Sequence, residues 1–229
     1  MGLEKLTDRI YFLPHEPEFD RPMLAYVQGD AFSLAIDAGY SASHVKDFYG
    51  ALEANSLREP HFTVITHWHY DHTFGMHAIK GVCIAHRKTN HFLRVQQEKA
   101  QDPSYLDLLK KDDLHFAKEY AGQTELHIVV SDIEYVDEIT LNLGNATARI
   151  FHTISPHSED TTCVHIPEEN VLFLGDAASE DFFHGGYMDR AKLNQLIQMI
   201  SSLDCEYCVL SHCEPMKKRE LLVYLDSIK

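Results

Sequence analysis

Residues 62–72 have the sequence FTVITHWHYDH, in which a β-branched run leads directly into side chains that can bind a metal. The run predicts a short strand. Alternate side chains of an extended segment point the same way, so His67 and His69 can face one metal together. If the chain turns into a helix near Asp71, that carboxylate and His72 are directed toward a second position. Three imidazoles and a carboxylate at this spacing suit a borderline cation such as Zn²⁺.

Three further candidate ligands, His157, Asp176 and His212, each follow a segment that predicts a strand. His157 lies in a turn-forming context after Pro156, and Gly175 before Asp176 permits a close approach of the backbone. An α/β scaffold presents its functional side chains at such strand ends. With the first motif, the candidates are five histidines and two aspartates, enough for two metals with an open position between them.

The two halves of the chain repeat one pattern. Residues 34–38 (LAIDA) are followed by a predicted helix and a strand that leads into His67, and residues 172–177 (LFLGDA) by a predicted helix and a strand that leads into His212. Each half therefore has a strand ending in Asp, a crossover helix and a strand ending in His. Two β-rich halves with helices outside predict an α/β fold, a four-layer αββα sandwich with an internal pseudo-two-fold repeat.

Length and periodicity predict one domain over residues 1–229. Apolar runs between turn residues predict the other strands, at 10–13, 23–27, 32–36, 82–85, 126–130, 139–143, 147–151, 162–166, 171–174 and 207–210. Helical spacing predicts helices at 41–54, 189–203 and 215–228, the first capped by Ser41 or Ser43. Residues 88–120 are charged and helical in character and predict a helical insertion, which Asp102-Pro103 divides into two helices.

The composition disfavours several classes of partner. The chain has 35 acidic and 20 basic side chains, a formal net charge of −15 and no basic run, which disfavours nucleic acid. No window approaches the roughly 18 apolar residues of a membrane helix, and the N-terminus does not resemble a signal peptide. Five cysteines, an odd number, favour reduced thiols and a cytoplasmic location. The C-x-x-C at 205–208 lacks a second pair, so we interpret its cysteines as structural thiols.

In chain order, these residues resemble the motifs of the metallo-β-lactamase superfamily over nearly the whole sequence. The matching positions are Asp37 after a strand, His67-x-His69-x-Asp71-His72, His157, Asp176 and His212. The resemblance implies that the first metal is held by His67, His69 and His157. It implies that the second metal is held by Asp71, His72 and His212. Asp176 then corresponds to the bridge between the metals, and Asp37 to a carboxylate that orients a ligand imidazole.

The chemistry of such a site follows from the ligands. Two cations about 3.5–4 Å apart can share a water and lower its pKa to about 7. The resulting hydroxide attacks a carbonyl or phosphoryl centre while a metal polarises the oxygen that gains charge. Asp71 or Asp176 could assist proton transfer to the leaving group. We therefore expect a hydrolase with two Zn²⁺ per chain, with Fe or Mn as alternatives, acting on a small ester, thioester or lactone; base rates favour a homodimer.

Several residues differ from those of the zinc β-lactamases, and these differences bear on the substrate class. Those enzymes carry Cys in place of Asp176, and many have Lys where this chain has Ser179. The neighbouring Glu180 and Asp181 form an acidic loop that repels a carboxylate substrate. An Asp bridge is instead the pattern of glyoxalase II-like thioesterases, lactonases and zinc phosphodiesterases.

Three alternative functions remain open at this stage. The first is a mononuclear iron oxygenase that resembles the persulfide dioxygenases, which use two histidines and one carboxylate. The second is β-lactam hydrolysis as a weak activity. The third is a non-catalytic metal-binding protein on the same scaffold. Metal content with O₂ consumption separates the first from a dinuclear hydrolase, and the absence of turnover separates the third.

Other segments are candidates to line the site. The loop 180–187 is aromatic and has a Gly-Gly hinge, so His184 or Tyr187 could donate to the developing oxyanion, although an aromatic pair before a helix can equally be a packing anchor. The insertion 88–120 could cover the site or pack as a solvated hairpin. Residues 14–19 could overhang the site as a flap. The remaining histidines are expected on the surface or hydrogen-bonded in the core.

Overall fold

The computed structural model describes residues 2–228, whose strands form two sheets that face each other. The strands of the first sheet, in their order across it, are Glu4–Lys5 (β1), Ile10–Leu13 (β2), Leu24–Gln28 (β3), Ser33–Ile36 (β4), Phe62–Val64 (β5), Val82–His86 (β6) and Ile133–Tyr135 (β7). Strands β1 to β4 pair antiparallel, and β4 to β7 pair parallel. The parallel half therefore places the carboxyl ends of β4 and β5 at one edge.

The second sheet contains the later strands, which are Glu138–Asn142 (β8), Thr147–His152 (β9), Thr162–Ile166 (β10), Val171–Gly175 (β11), Tyr207–Leu210 (β12) and Met216–Lys217 (β13). Their order is β13-β12-β11-β10-β9-β8, with β11 and β12 parallel and the other neighbours antiparallel. The parallel pair again brings two strand ends together, here those followed by Asp176 and His212.

Helices cover the outer faces of both sheets. Their bounds are Ala42–Ala54 (α1), Tyr70–Thr73 (α2), Arg87–Lys99 (α3), Ser104–Asp112 (α4), Leu114–Glu119 (α5), Arg190–Ser202 (α6) and Lys218–Ser227 (α7), and short 3₁₀ turns span Met76–Ala78, Pro167–Glu169 and Phe182–His184. Helix α1 begins after Ser41, whose hydroxyl accepts the His44 N–H as an N-cap. Its residues Phe48 and Leu52 pack on Tyr26 of β3. Helices α6 and α7 cover the second sheet in the same way.

The main core lies between the two sheets. Ile10, Val27 and Ile36 of the first sheet pack in one buried cluster with Val164 and Phe173 of the second. Burial of each such side chain contributes roughly 1.5–3 kcal/mol. The predicted four-layer αββα sandwich is confirmed, and so are the two strand–helix–strand units, β4-α1-β5 and β11-α6-β12, that make up the predicted repeat.

Two sequence predictions were wrong. Residues 126–130 are not a strand, because the edge of β6 is occupied by β7; their apolar side chains pack beneath the insertion, and Gln97 donates to the carbonyl of Ile128. The insertion contains three helices rather than two, since Asp113 ends α4 and caps α5 by accepting the N–H groups of His115 and Phe116. Among residues 2–228, no helix has both the length and the apolar character needed to cross a membrane. All five cysteines are free thiols.

Candidate metal centre

Three histidines converge where β5 and β10 meet at the edge of the sandwich. After β5 the chain bends at Thr66, and α2 begins directly after His69. Nε2 of His157 lies 3.2 Å from Nε2 of His67 and 3.0 Å from Nδ1 of His69. All three side chains are buried. We call His67, His69 and His157 the first histidine group, whose donor atoms lie close enough together to hold one metal ion.

A second set of donors lies beside the first. The start of α2 redirects Asp71 and His72, so Oδ2 of Asp71 lies 3.1 Å from Nε2 of His72 and 3.2 Å from Nε2 of His212. Oδ2 of Asp176 lies 3.4 Å and 3.3 Å from the same two nitrogens. We call Asp71, His72, Asp176 and His212 the second ligand group, which could also hold a metal ion.

Asp176 connects the two groups. Its Oδ2 also lies 3.8 Å from Nε2 of His157, so one carboxylate faces donors of both sets. The preceding Gly175 has a left-handed φ of +56°, and a Cβ at this position would lie 2.7 Å from Cβ and Oγ1 of Thr66. Glycine is therefore required for the end of β11 to approach Thr66 closely enough to bring Asp176 to this place.

The hydrogen bonds around the first histidine group indicate which nitrogens carry protons. Nδ1 of His157 donates to the carbonyl of Glu180 at 2.8 Å. The Thr66 hydroxyl donates to Asp37, so it accepts from Nδ1 of His67 at 3.1 Å. In the neutral tautomers these bonds imply, the Nε2 lone pairs of His67 and His157 face each other at 3.2 Å without a proton between them. A bound cation relieves this repulsion, so the donor set fits a metal.

Asp37 holds His72 in a comparable way. Its backbone is left-handed, with φ +66°, and its carboxylate accepts from the Thr66 N–H at 2.7 Å and the Thr66 hydroxyl at 2.9 Å. It also accepts from Nδ1 of His72 at 2.8 Å. The opposite nitrogen of His72 is buried and has no hydrogen-bond partner, which a metal ion would supply.

Burial and neighbouring charges shift the pKa values of this site in opposite directions. Burial lowers the pKa of His69 to about 3, so the imidazole is neutral and able to bind a metal. Burial opposes ionisation of Asp71 and Asp176, but the charges of His72 and His212 outweigh it and hold both pKa values well below the usual range. Conversely, the carboxylates overcome the effect of burial and raise the pKa values of His72 and His212. The second ligand group therefore attracts positive charge, from protons or from a metal.

The donors open into a cleft of about 670 Å³, which we call the metal-centre cleft. Its walls include Phe182, Phe183 and the α4–α5 corner at residues 112–115. The ring of Phe183 lies 4.5 Å from that of His69 and 4.7 Å from that of Trp68. Both the insertion and the loop 180–187 thus line the site.

The predicted oxyanion donors lie elsewhere on that loop. His184 is exposed and its Nδ1 donates to Asp181 at 2.7 Å, while Tyr187 is exposed and its carbonyl accepts from the Asp181 N–H. Neither is among the residues that line the metal-centre cleft. The structure brings the seven predicted ligands and Asp37 together, and it places Phe182 and Phe183 where His184 and Tyr187 were expected.

Sequence reasoning missed Asp20. This residue has a left-handed backbone, with φ +54°, and accepts from Nδ1 of His212 at 3.2 Å. Its loop is held by Arg21, which forms a bidentate pair with Glu119 at 2.8 and 3.0 Å. The only local signal was a short polar turn, Asp20-Arg21-Pro22, just beyond the segment predicted to overhang the site.

The sequence model of the metallo-beta-lactamase superfamily matches residues 24–212, a span that contains the whole candidate centre. The chain belongs to the metallo-beta-lactamase superfamily. This membership agrees with the fold and with the order of the candidate ligands, and it supports a hydrolase in general terms.

A curated member similar to this one is the acyl-coenzyme A thioesterase MBLAC2 from Bos taurus. The two are 24% identical over 168 residues, which cover 69% of this chain and 58% of that protein. The chain thus spans little more than half the length of this relative.

Solved structures of the superfamily fold are also similar. A metallo-beta-lactamase from Pontibacter korlensis has a TM-score of 0.66 at 14% identity, with 98% of both chains covered. The stereoselective inverting sec-alkylsulfatase Pisa1 from Pseudomonas sp. has a TM-score of 0.74 at 12% identity, covering 98% of this chain and 40% of the sulfatase. At these identities the likeness shows the fold alone.

Proposed function

We propose that this protein is a dinuclear metal hydrolase that cleaves a small ester, thioester or lactone. The observation that carries the proposal is the convergence of five imidazoles and two carboxylates into two adjoining groups of donor atoms. Mixed nitrogen and oxygen donors suit Zn²⁺, with Fe or Mn as alternatives. The thioesterase activity of the bovine relative supports the choice of ester-like bonds.

We assign the first histidine group to one metal and Asp71, His72 and His212 to the other. Asp176 faces donors of both sets, at 3.3–3.8 Å, which supports a bridging role. Asp37 orients His72, and Glu180 orients His157 through its backbone carbonyl. These bonds hold the imidazoles in position before any metal binds.

Bound cations would supply an activated water, with its pKa lowered to about 7, and would polarise the substrate carbonyl. The chain's own residues would supply the rest. Asp71 and Asp176 line the cleft beside the donors, so either can accept a proton and return it to the leaving group. Phe183 stacks beside His69 and shields that side of the site from bulk water.

We place the reaction in a reducing compartment, because all five cysteines are free thiols and four of them are buried. We propose the cytoplasm as the location and small molecules as the substrates, without nucleic acid or membrane as partners. The acidic net charge of −15 disfavours nucleic acid as a partner, because it repels phosphates. A homodimer remains a prediction from base rates, to be checked by light scattering.

The test is elemental analysis of protein purified without chelators, followed by turnover measurements on esters, thioesters, lactones and a β-lactam. We expect two metal ions per chain and ester or thioester hydrolysis. We expect His69→Ala to lower kcat/KM by about 10³-fold or more, since it removes a ligand of the first metal. His127→Ala, an exposed histidine outside the site, is the matched control and should retain full activity.

Three outcomes would contradict the proposal. One iron per chain with O₂ consumption identifies an oxygenase, and metal without any turnover identifies a binding protein. Equal activity of the His69→Ala and His127→Ala variants removes the metal centre from the reaction.

A further inference from the structure

A second cleft, of about 570 Å³, adjoins the metal-centre cleft. The two clefts share Asp176, Ser179 and His212 in their linings, so the candidate metal centre lies where they meet. The far part of the second cleft is apolar and is lined by Met188, Leu210, Met216, Tyr224 and Ile228. We call it the methionine cleft. Unbranched methionine side chains adapt to ligands of variable shape, so this lining suits a flexible alkyl chain.

Apart from the candidate metal ligands, the acidic residues of both clefts are not matched by lysine or arginine from the part of the chain that the structure describes. The metal-centre cleft has Asp20, Asp112 and Asp113 in its walls in addition to the candidate ligands, and the methionine cleft has Glu180 and Glu220. Among residues 2–228, no lysine or arginine lines either cleft.

Two lysines of the neighbouring insertion donate to backbone carbonyl groups outside the clefts. Lys110 donates to the carbonyl of Gln123 at 2.9 Å, and Lys118 donates to the carbonyl of Glu18 at 3.1 Å. An anionic group of the substrate that lies away from the metals would therefore face carboxylates, with no lysine or arginine among the described residues of either lining to compensate them.

We propose that the site selects thioesters or esters with an apolar acyl chain and a leaving group that bears no negative charge. The acyl chain lies in the methionine cleft, and the leaving group lies in the metal-centre cleft near Asp112 and Phe183. This inference rests on the proposed hydrolase function. Hydrolysis adds the hydroxyl of water to the acyl carbon, breaks the bond to sulfur or oxygen with its electron pair going to that atom, and delivers the proton to the thiol or alcohol.

The leaving-group inference is tested with three hexanoyl thioesters that differ in charge. Thiocholine is cationic, N-acetylcysteamine is neutral, and coenzyme A carries several phosphate charges. We expect kcat/KM for the thiocholine and N-acetylcysteamine esters to exceed that for the coenzyme A ester by about 10-fold or more at low salt, because carboxylates repel phosphates. A coenzyme A ester that is hydrolysed as fast as the neutral one overturns the inference.

Binding of substrate analogues that cannot be hydrolysed distinguishes a failure of this inference from a failure of the proposed function. The matched ketones, in which a methylene is inserted between sulfur and the carbonyl, cannot be hydrolysed. Their Kd values for zinc-loaded protein, measured by calorimetry, should follow the same order of charge. Binding in this order without turnover of any thioester contradicts the hydrolase function alone. Turnover with the reverse order contradicts the specificity alone.

Asp112 offers a local test of the charge effect. It is exposed at the end of α4, and Asp107 on the same helix is exposed and lies outside both clefts. We expect Asp112→Lys to raise kcat/KM for the coenzyme A ester about five-fold and to lower it for the thiocholine ester by a similar factor. Asp107→Lys changes the net charge equally and should shift neither value by more than about two-fold. Equal shifts in both variants overturn the assignment of the leaving group to this cleft.

The acyl-chain assignment is tested by filling the methionine cleft. Met188 is half-buried in its wall, whereas Val223 lies on α7 outside it and is 65% exposed. We expect Met188→Trp to reduce kcat/KM for the hexanoyl N-acetylcysteamine ester about 10-fold and to leave the acetyl ester within about two-fold. Val223→Trp introduces the same side chain outside the cleft and should change neither rate. A hexanoyl rate unaffected by Met188→Trp places the acyl chain elsewhere.

Discussion

Asp37 and Asp20 each accept a hydrogen bond from Nδ1 of a histidine in the second ligand group, but their surroundings differ. Both have a left-handed backbone, with φ of +66° and +54°. Asp37 has a fully buried side chain and accepts three hydrogen bonds, two of them from Thr66. Asp20 lies in the loop before β3, has a side chain that is 52% exposed, and accepts one hydrogen bond from His212.

The segments that carry these aspartates are also supported differently. His44, buried in α1, accepts the Tyr40 N–H in the turn after Asp37. Arg21, next to Asp20, pairs with Glu119 and Asp47. A neutral imidazole therefore supports one segment, and a permanently charged guanidinium supports the other.

A hydrogen bond that orients a metal-ligand histidine can therefore lie in the core, as at Asp37, or near the surface, as at Asp20. Water can replace a lost partner at Asp20 but cannot reach Asp37. We therefore expect a change at Asp37 to affect folding and metal binding together, and a change at Asp20 to affect metal binding alone.

The largest effect is expected for Asp37→Asn. The amide oxygen can still accept the Thr66 N–H, but the amide NH₂ then faces the hydroxyl of Thr66 and Nδ1 of His72, both of which are donors. We expect a loss of about 3 kcal/mol in the free energy of unfolding and a roughly 100-fold weaker second metal site. Urea denaturation and calorimetric metal titration measure the two quantities.

Asp132→Asn is the matched control for Asp37→Asn. Asp132 is exposed and accepts the Cys83 N–H at 2.8 Å, a bond that an asparagine oxygen can keep. We expect a change of less than about 1 kcal/mol. Equal destabilisation by the two substitutions would show that burial does not distinguish Asp37.

At neutral pH the effect expected at His44 is smaller, and it grows as the pH is lowered. Burial, with the nearby charge of Arg21, lowers the pKa of His44 to about 3 in the folded protein. The unfolded chain, with a pKa near 6.5, therefore binds more protons, so the stability contributed by neutral His44 is complete above pH 6.5 and is lost as the pH falls toward 3. The slope for one such proton is about 1.4 kcal/mol per pH unit.

His44→Gln isolates this slope, since the glutamine oxygen can accept the Tyr40 N–H at any pH. We expect the unfolding free energy of the variant, relative to the native chain and both without metal, to rise as the pH is lowered from 6.5 to 4. Parallel curves for the two proteins would exclude His44 as an acid-sensitive support of the Asp37 segment.

The smallest effect on stability is expected for Asp20→Asn. Asparagine tolerates the left-handed backbone and can accept from His212, but it lacks the charge. We expect second-site metal affinity to fall about 10-fold or less, with the unfolding free energy unchanged within about 0.5 kcal/mol. Asp20→Ala should weaken metal binding further, because no acceptor remains. A loss of stability as large as that of Asp37→Asn would contradict the comparison.

Most of the fold followed from local patterns. The runs of β2 to β6 and β10 to β12 predicted strands because these strands are mostly buried and apolar. Strands β8 and β9 were predicted because more buried and more exposed positions alternate along them. The strand predicted at 126–130 was wrong for a different reason. Those residues are apolar and favour a strand, but β7 occupies the edge of β6, and they instead bury their side chains under the insertion. Pairing depends on which edge is available, and no local pattern contains that information.

The candidate site also contains residues that local patterns predicted and residues that they did not. His67, His69, Asp71 and His72 lie within six residues, so the geometry of one strand end and one helix start predicts their directions. The α4–α5 corner and Phe183 reach the cleft through contacts between distant segments, and sequence reasoning reached only the segments and not these residues.

The sequence by itself determined the order and chemistry of the ligands, the strand–helix–strand repeat that presents them and the acidic balance of −15. These properties depend on residue type and short spacing. The tertiary structure decided which residues support and surround the site. Asp20 and His212 are 192 positions apart, and they meet because the two sheets pack face to face. Such a contact depends on the packing of the whole chain, and neither segment alone specifies it.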